Sequence, residues 1–256
     1  MTLLIAVADT LADGDLLASA RRLAKAAGWD ARAVHVREPG GPELGSADVE
    51  DLEIVDLVGE AAEEIARLVD QADVDAVALG LRNAPGPGIG HVTEELLHRL
   101  AAPMLLVRPG MRPLTTLRRL LVPLEGSPSA SAAMRHADDA LCTRGREIVM
   151  LHVVTKSTPG ESGSFPAPRI VDQEHYEWSA WQDEFCMRFS QCPEGGRHRV
   201  CVRVGDPAPT IVKEAVSLKA ELIVLSWNGS FAGGHGAVIG ALLETAPCPL
   251  LIVPAG

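Results

Sequence analysis

The hydrophobic positions of this chain form short, fully apolar runs that alternate with segments of helical spacing. Runs such as LLIAVAD (3–9) and VDAVALG (74–80) are too apolar for strands with one exposed face. Between the runs, leucine and alanine recur every three or four residues, as in 15–27, where Gly28 ends the pattern. Strands buried on both faces and alternating with helices are typical of a parallel sheet covered by helices. The pattern therefore predicts an α/β fold.

The same pattern occurs twice along the chain. LLVPLEGS at 120–127 matches LLIAVADT at 3–10, an offset of 117 residues, and farther along the two copies match at an offset of 146. A repeat of this length indicates two domains in tandem. We predict their bounds as residues 1–110 and 118–256.

The second copy contains an additional segment. The two offsets differ by 29 residues (146 minus 117), and the extra residues fall at 157–196. A helix is predicted at 171–190, with four aromatic residues on one face. These are Trp178, Trp181, Phe185 and Phe189. We interpret the face as packing on the sheet or on the other domain; the alternative is a partner-binding surface.

Charge and composition narrow the classes of function. The net charge is −11, and residues 1–110 contain 19 Asp and Glu against 9 Lys and Arg. An acidic first half argues against nucleic acid as a partner. No apolar run approaches the roughly 20 residues that span a bilayer, and the N-terminus lacks the basic region of a signal peptide. Five cysteines in a long chain do not make a disulfide framework, so we expect a cytoplasmic protein.

Five stretches of the second copy together resemble a known domain. In order they are LLVPLEGSPSASAAMRHA, IVMLHVV, VGDPAPTIVKEA, ELIVLSWNGS and GAVIGALLETAPCPLLIVP. Their sequence and order resemble the universal stress protein family, and the first copy resembles it more faintly. The resemblance implies two tandem five-stranded parallel sheets, doubly wound, similar to adenine nucleotide alpha hydrolases, with strand order 3-2-1-4-5. It also implies an internal pseudo-dimer that joins 105–107 to 251–253, and a homodimer of such chains is a further expectation.

The family also implies a nucleotide site. Its ATP-binding members hold the nucleotide at the carboxyl ends of the strands, with an acid after the first strand and the pattern G-x2-G-x9-G-S/T. Carried onto the second copy, the implied binding residues are Glu125, Ser127, Val153, Ser226, Gly229, Gly236 and Ala237. Ser226 stands where the first glycine is usual and Ala237 where a hydroxyl is usual, and six residues rather than nine separate the other two glycines. Fewer backbone N–H groups and no hydroxyl donor make a weaker phosphate cradle.

Two functions follow from these residues. One is a stress-response or regulatory protein that senses ATP or another adenine nucleotide in its second domain. The other is a nucleotide-free protein that acts through contacts with an unidentified protein, with glycines that only form turns. Trp227 is a candidate either to stack on a base or to cover the end of the sheet.

Signatures of catalysis and metal binding do not appear in the sequence. Ser127 lacks a G-x-S-x-G context and there is no Walker loop, so we predict no catalytic residues and at most slow ATP hydrolysis. Cysteines and a histidine cluster between 186 and 201, but not at a standard zinc spacing, so we predict no metal. His35 and His152 occupy equivalent strand positions and are predicted to be buried and hydrogen-bonded.

Overall fold

The computed structural model describes residues 1–8, 13–41, 44, 49, 52–71, 73–81, 90–124, 130–143, 145–155, 197–232 and 234–255. In these residues the strands are Thr2–Ala6 (β1), Asp30–Arg37 (β2), Glu53–Val58 (β3), Ala76–Gly80 (β4), Met104–Val107 (β5), Arg119–Pro123 (β6), Glu147–Val154 (β7), Arg197–Val204 (β8), Leu222–Trp227 (β9) and Leu250–Pro254 (β10). The helices are Gly14–Ala27 (α1), Ala61–Gln71 (α2), His91–Arg99 (α3), Ala130–His136 (α4, continued by a π-helical turn at Ala137–Leu141), Pro207–Ser217 (α5) and Gly234–Thr245 (α6).

All ten strands belong to one sheet, in the order β3-β2-β1-β4-β5-β10-β9-β6-β7-β8. Within each half the strands are parallel and follow the order 3-2-1-4-5 that the resemblance implies. The halves join where β5 and β10 pair antiparallel, with Leu105 opposite Leu251. This pairing confirms the predicted internal pseudo-dimer. Because the halves run in opposite directions, the carboxyl ends of their strands lie at opposite edges of the sheet.

Both faces of the sheet are buried, as the apolar runs predict. Alternate side chains of a strand point to opposite faces, so Leu3 and Ile5 lie in one core and Leu4 lies in the other. Helices α1 and α4 contribute to the first core, and α2, α3, α5 and α6 contribute to the second. Each core contains residues of both halves. The two domains therefore share their cores.

The boundaries of the elements follow local chemistry. Helix α1 ends where predicted, because Gly28 adopts a left-handed φ of 70° and its N–H bonds to the carbonyl of Ala24. Strand β1 ends earlier than the apolar run at 3–9, since the N–H of Ala8 bonds to the Asp13 carboxylate instead of a neighbouring strand. The predicted aromatic helix at 171–190 lies outside the described residues.

Equivalent residues of the two copies make equivalent contacts. The Nδ1 atom of His35 lies 2.9 Å from the carbonyl oxygen of Val7, and Nδ1 of His152 lies 2.9 Å from the carbonyl oxygen of Leu124. His35 is buried and His152 is half-buried. The prediction of hydrogen-bonded strand histidines is confirmed. Within the described residues, no helix is both long and apolar enough to cross a bilayer.

Candidate functional site

The two central strands of the second domain separate at their carboxyl ends. Strands β6 and β9 pair at two positions, Leu120 with Leu222 and Leu121 with Ile223. The equivalent strands of the first domain, β1 and β4, pair at four positions and stay together as far as Ala6. In open α/β sheets, ligands bind at the carboxyl ends of the strands where the strand order reverses. In the second domain that place lies between β6 and β9, where the ladder ends two pairs earlier.

Pro123 explains the early end of this ladder. The N–H of Leu124 donates to the carbonyl of Leu151 in β7 at 2.8 Å. Successive residues of a strand direct their N–H groups to opposite sides, so position 123 faces β9. Proline has no N–H to donate there. The equivalent residue of the first domain is Ala6, which keeps its donor.

Two of the predicted binding residues lie at this edge of the sheet. Val153 is half-buried near the carboxyl end of β7 and pairs with Arg203 of β8. Ser226 lies near the carboxyl end of β9 and is 2% exposed. Glu125 and Ser127 lie outside the described residues.

The other predicted residues lie in the loop after β9 and in α6. Gly229 has a φ of 84°, a left-handed conformation that favours glycine. Gly236 is required by a close approach: a Cβ atom there would lie 2.1 Å from the carbonyl oxygen of Ser230. Ala237 is exposed in the first turn of α6. The loop therefore folds back onto α6 and presents a carbonyl oxygen, not an N–H group, to Gly236.

His235 belongs to the site although the glycine pattern does not include it. Its Nε2 atom lies 2.6 Å from the carbonyl oxygen of Ser226, to which it donates, and 3.3 Å from the Ser226 hydroxyl. The half-buried imidazole therefore lies over the end of β9. The sequence contains a signal for this role: residues 220–256 include no Lys or Arg, and the histidine of that segment is His235.

Trp227 covers the end of the sheet and contacts the first domain. It is 4% exposed, and its indole N–H donates to the carbonyl of Leu97 at 2.7 Å. That carbonyl is among the last four of α3, which lack a partner within the helix. The ring centroid lies 4.5 Å from that of Phe231 and 5.6 Å from that of His98. Trp227 therefore links the loop of the second domain to α3 of the first domain, and its indole N–H is already bonded.

The first domain contains a cavity of about 320 Å³ at the equivalent edge of its own strands. Its walls come from β1, β2, β4, α2 and α3 and consist mainly of aliphatic side chains, such as those of Val34, Val36, Ile65, Leu79 and Val92. The polar side chains that line it are those of Asp13, His91 and Thr93.

Asp13 has an unusual position in this cavity. It occupies the N-cap of α1, yet its side chain makes no capping hydrogen bond within the described residues. Instead, Oδ2 accepts the N–H of Ala8 at 2.8 Å, and Oδ1 lies 3.0 Å from where a Cβ atom on Gly80 would be. The side chain is buried, with 5% of the residue exposed. The equivalent residue of the second copy is Ala130, so this carboxylate is specific to the first domain.

Two groups of side chains have the composition of a metal site within the described residues. Asp138, Cys142 and His198 converge, but Cys142 is disulfide-bonded and has no thiolate to offer. His198 Nε2 lies 2.7 Å from the Asp138 carboxylate instead. The cysteine count alone does not predict this disulfide. Glu60, His91 and Glu95 form the second group at the surface, beside the first-domain cavity.

Comparisons with known proteins agree with the fold. The sequence profile of the Universal stress protein family matches residues 41–108 and 116–254. A universal stress protein of Mycolicibacterium smegmatis is 26% identical over 200 residues, which are 75% of this chain and 66% of that protein. One of Mycobacterium tuberculosis H37Rv is 26% identical over 213 residues, 77% of this chain and 63% of that protein. The chain thus spans about two thirds of the length of these relatives.

A solved structure agrees over the full length. The crystal structure of a universal stress protein from Archaeoglobus fulgidus covers 100% of this chain, and 98% of that chain is covered, with a TM-score of 0.70. The two sequences are 15% identical, so the likeness concerns the fold.

Proposed function

Because the chain belongs to the universal stress protein family, we propose that it is a stress-response regulator whose second domain senses an adenine nucleotide, with ATP as the first ligand to test. The observation that carries this proposal is the early separation of β6 and β9 at the point where the strand order reverses. Pro123 opens the ladder there, and the first domain has no equivalent proline. A proline at the last position of a central strand costs a ladder hydrogen bond, which a ligand site would explain.

The proposed orientation of the nucleotide follows the chemistry of this edge. The adenine lies against the backbone at Val153, and the phosphates point toward the N-terminus of α6, where N–H groups and the helix dipole favour an anion. His235 of α6 holds the end of β9 beside this position, because its Nε2–H donates to the carbonyl of Ser226. Since residues 220–256 contain no Lys or Arg, a divalent cation accompanies the nucleotide in this proposal.

A matched pair of substitutions tests the site. Val153→Phe places a large ring at the adenine end of the second-domain crevice, and Val36→Phe makes the same change at the equivalent residue of the first domain. Isothermal titration with ATP, ADP and AMP, each with magnesium, compares the two variants with the parent protein. We expect Val153→Phe to weaken ATP binding by at least about tenfold, or 1.4 kcal/mol. Val36→Phe should leave it unchanged.

Absence of heat with all three nucleotides at millimolar concentration would contradict the proposal. An equal loss of ATP affinity in both variants would instead indicate a general effect on the fold. Thermal unfolding of each variant detects such an effect. Phosphate release measured on the same samples should be slow, because neither the motifs nor the described geometry supply a general base positioned for water.

A second candidate function is a nucleotide-free interaction protein. It is favoured by the loop after β9, where the Ser230 carbonyl lies against Gly236 and Phe231 packs on Trp227. A loop used for contact between domains has fewer N–H groups for phosphates. If all three nucleotides fail to bind, replacing Trp178 and Trp181 by Ala should abolish capture of a protein partner without unfolding the chain, and retained capture would count against this function.

A further inference from the structure

We infer that the cavity of the first domain binds a small uncharged molecule with an apolar body, which the hydroxyl of Thr93 orients by one hydrogen bond. The site is independent of the nucleotide site proposed above, because it lies in the other domain and at the opposite edge of the sheet. The class of ligand follows from the walls of the cavity, from the contacts that Asp13 makes and from the exposure of the polar side chains.

The walls of the cavity consist mainly of aliphatic side chains. Its volume of about 320 Å³ lies at the lower end of the roughly 300–1,000 Å³ of ligand sites. The aliphatic groups come from four elements: Val34 and Val36 of β2, Ile65 of α2, Leu79 of β4 and Val92 of α3. An apolar molecule in this space leaves water on several sides at once, and burial of its surface is the driving force for binding.

The Asp13 side chain occupies the place that a phosphate would need. Its Oδ1 atom lies 3.0 Å from where a Cβ atom on Gly80 would be, and Gly80 corresponds to the first glycine of the nucleotide pattern. Its Oδ2 atom accepts the N–H of Ala8 at 2.8 Å, and the residue takes part in a further interaction within the chain. The carboxylate therefore serves the protein's own groups, and it fills the space through which a ligand would approach the backbone at Gly80.

The lining offers neither an anion nor a cation a free partner. Among the described residues it contains no Lys or Arg, and the side chain of His91 is 79% exposed and faces Glu95. A cation would have to compete with the contacts that already engage Asp13. Because burying an unpaired charge costs far more than burying an uncharged group, the cavity favours an uncharged ligand over either ion.

The polar side chains inside the cavity are already shielded from water. Asp13 and Thr93 are each 5% exposed, so a ligand that displaces water from the cavity removes little hydration from them. Thr93 lies in the first turn of α3, and its hydroxyl makes no hydrogen bond within the described residues. A few polar groups among apolar walls orient the ligand in sites of this kind. The Thr93 hydroxyl is that group here.

Four probes that share one benzene ring separate charge from hydrogen bonding. Toluene, benzyl alcohol, benzoate and benzylammonium are each titrated into the full chain at about pH 7 and followed by ligand-observed NMR. We expect benzyl alcohol to bind at least about tenfold more tightly than benzoate and benzylammonium, because neither ion finds a free counter-charge. Equal or tighter binding of either ion, or no saturable binding of the two uncharged probes at millimolar concentration, would overturn the inference.

A conservative variant tests the role of Thr93. Thr93→Val keeps the branched shape of the side chain and removes the hydroxyl. We expect the affinity for benzyl alcohol to fall about three- to tenfold relative to that for toluene, which is the range of one hydrogen bond between uncharged groups. Toluene serves as the internal control because it forms no such bond. An unchanged ratio of the two affinities would contradict the role of Thr93.

Cavity-filling variants locate the site. Val36→Phe places a ring inside the cavity and should abolish binding of toluene and benzyl alcohol, whereas Val153→Phe, at the equivalent position of the second domain, should preserve it. If circular dichroism shows that Val36→Phe does not fold, Val92→Phe fills the cavity from α3 and provides the same test. Binding of the uncharged probes to a folded, filled variant would refute the assignment. ATP titrations of the same variants report on the second domain separately, so a failure of ATP to bind leaves this result unaffected.

Discussion

Two glycines of α6 provide a matched test of how the loop after β9 packs. At Gly236 an added Cβ atom would lie 2.1 Å from the carbonyl oxygen of Ser230 and 2.8 Å from the backbone of Phe231. At Gly240, one turn along the same helix, the nearest atom outside the helix is Cδ1 of Phe231 at 3.9 Å. The change from Gly to Ala therefore produces a steric clash at Gly236 and an ordinary van der Waals contact at Gly240.

The two substitutions should have opposite effects on stability. In a helix, Ala is favoured over Gly by about 0.5–1 kcal/mol, because Gly loses more conformational freedom on folding. Gly240→Ala should gain this amount. At Gly236 the loop must retreat by more than about 1 Å to reach a normal carbon contact of 3.5–4.0 Å, and overpacking of this kind costs roughly 1–3 kcal/mol. Such a movement of the loop also takes Phe231 away from Trp227; the centroids of the two rings lie 4.5 Å apart in the folded protein.

Urea unfolding followed by far-ultraviolet circular dichroism measures both effects. We expect the free energy of unfolding to be about 1–3 kcal/mol lower for Gly236→Ala than for Gly240→Ala. Because both substitutions change Gly to Ala in the same helix, their effects on the unfolded chain largely cancel in this comparison. If Gly236→Ala proves as stable as Gly240→Ala, the loop does not lie against α6 as described, and the physical account of the shortened glycine pattern fails.

Three further changes have expected outcomes. Trp227→Phe removes the indole donor and leaves the Leu97 carbonyl without it, so the free energy of unfolding should fall by about 1–3 kcal/mol in the same urea assay. Burial lowers the pKa of His136 below its usual 6.5, against the opposing effect of the Asp139 charge. The unfolded chain therefore binds more protons than the folded chain, and the free energy of unfolding should fall as the pH drops below about 6.5. His136→Phe should flatten this pH dependence when unfolding is measured between about pH 7 and 5. Burial raises the pKa of the Cys248 thiol to about 12, so iodoacetamide at about pH 8 should alkylate it in urea but not in the native protein, as read by peptide mass spectrometry.

Much of the fold follows from patterns that act over short distances. Fully apolar runs predict strands buried on both faces, and the positions of Leu3 and Leu4 in opposite cores confirm this. The offset between copies predicts equivalent contacts, and the histidines at 35 and 152 make them. The junction of β5 and β10 was implied by family resemblance and not by composition or spacing. Nothing in an apolar strand alone specifies which other strand it pairs with.

The details of the sites were harder to predict because they depend on the direction of a group and not on its identity. Asp13 precedes a helix and has the sequence of an ordinary N-cap, and only the geometry shows that its carboxylate points toward Gly80. Pro123 fits the pattern of a strand end, and its effect depends on which neighbour its missing N–H would face. His235 lies among glycines and becomes part of the site because the loop turns it toward Ser226.

Helix α3 connects the cavity of the first domain with the loop of the second domain. Its first turn, at His91–Thr93, lines the cavity of the first domain, and its last turn receives the indole N–H of Trp227 and contacts its ring. Nine residues separate the two ends by about 13 Å, at about 1.5 Å per residue. A ligand that displaces one end of so short a helix acts on the packing at the other. Thermodynamic linkage then requires that the factor by which any ligand of the first-domain cavity changes the affinity for ATP equals the factor by which ATP changes the affinity for that ligand. A common factor different from one would make α3 the first element to examine as the carrier of the coupling.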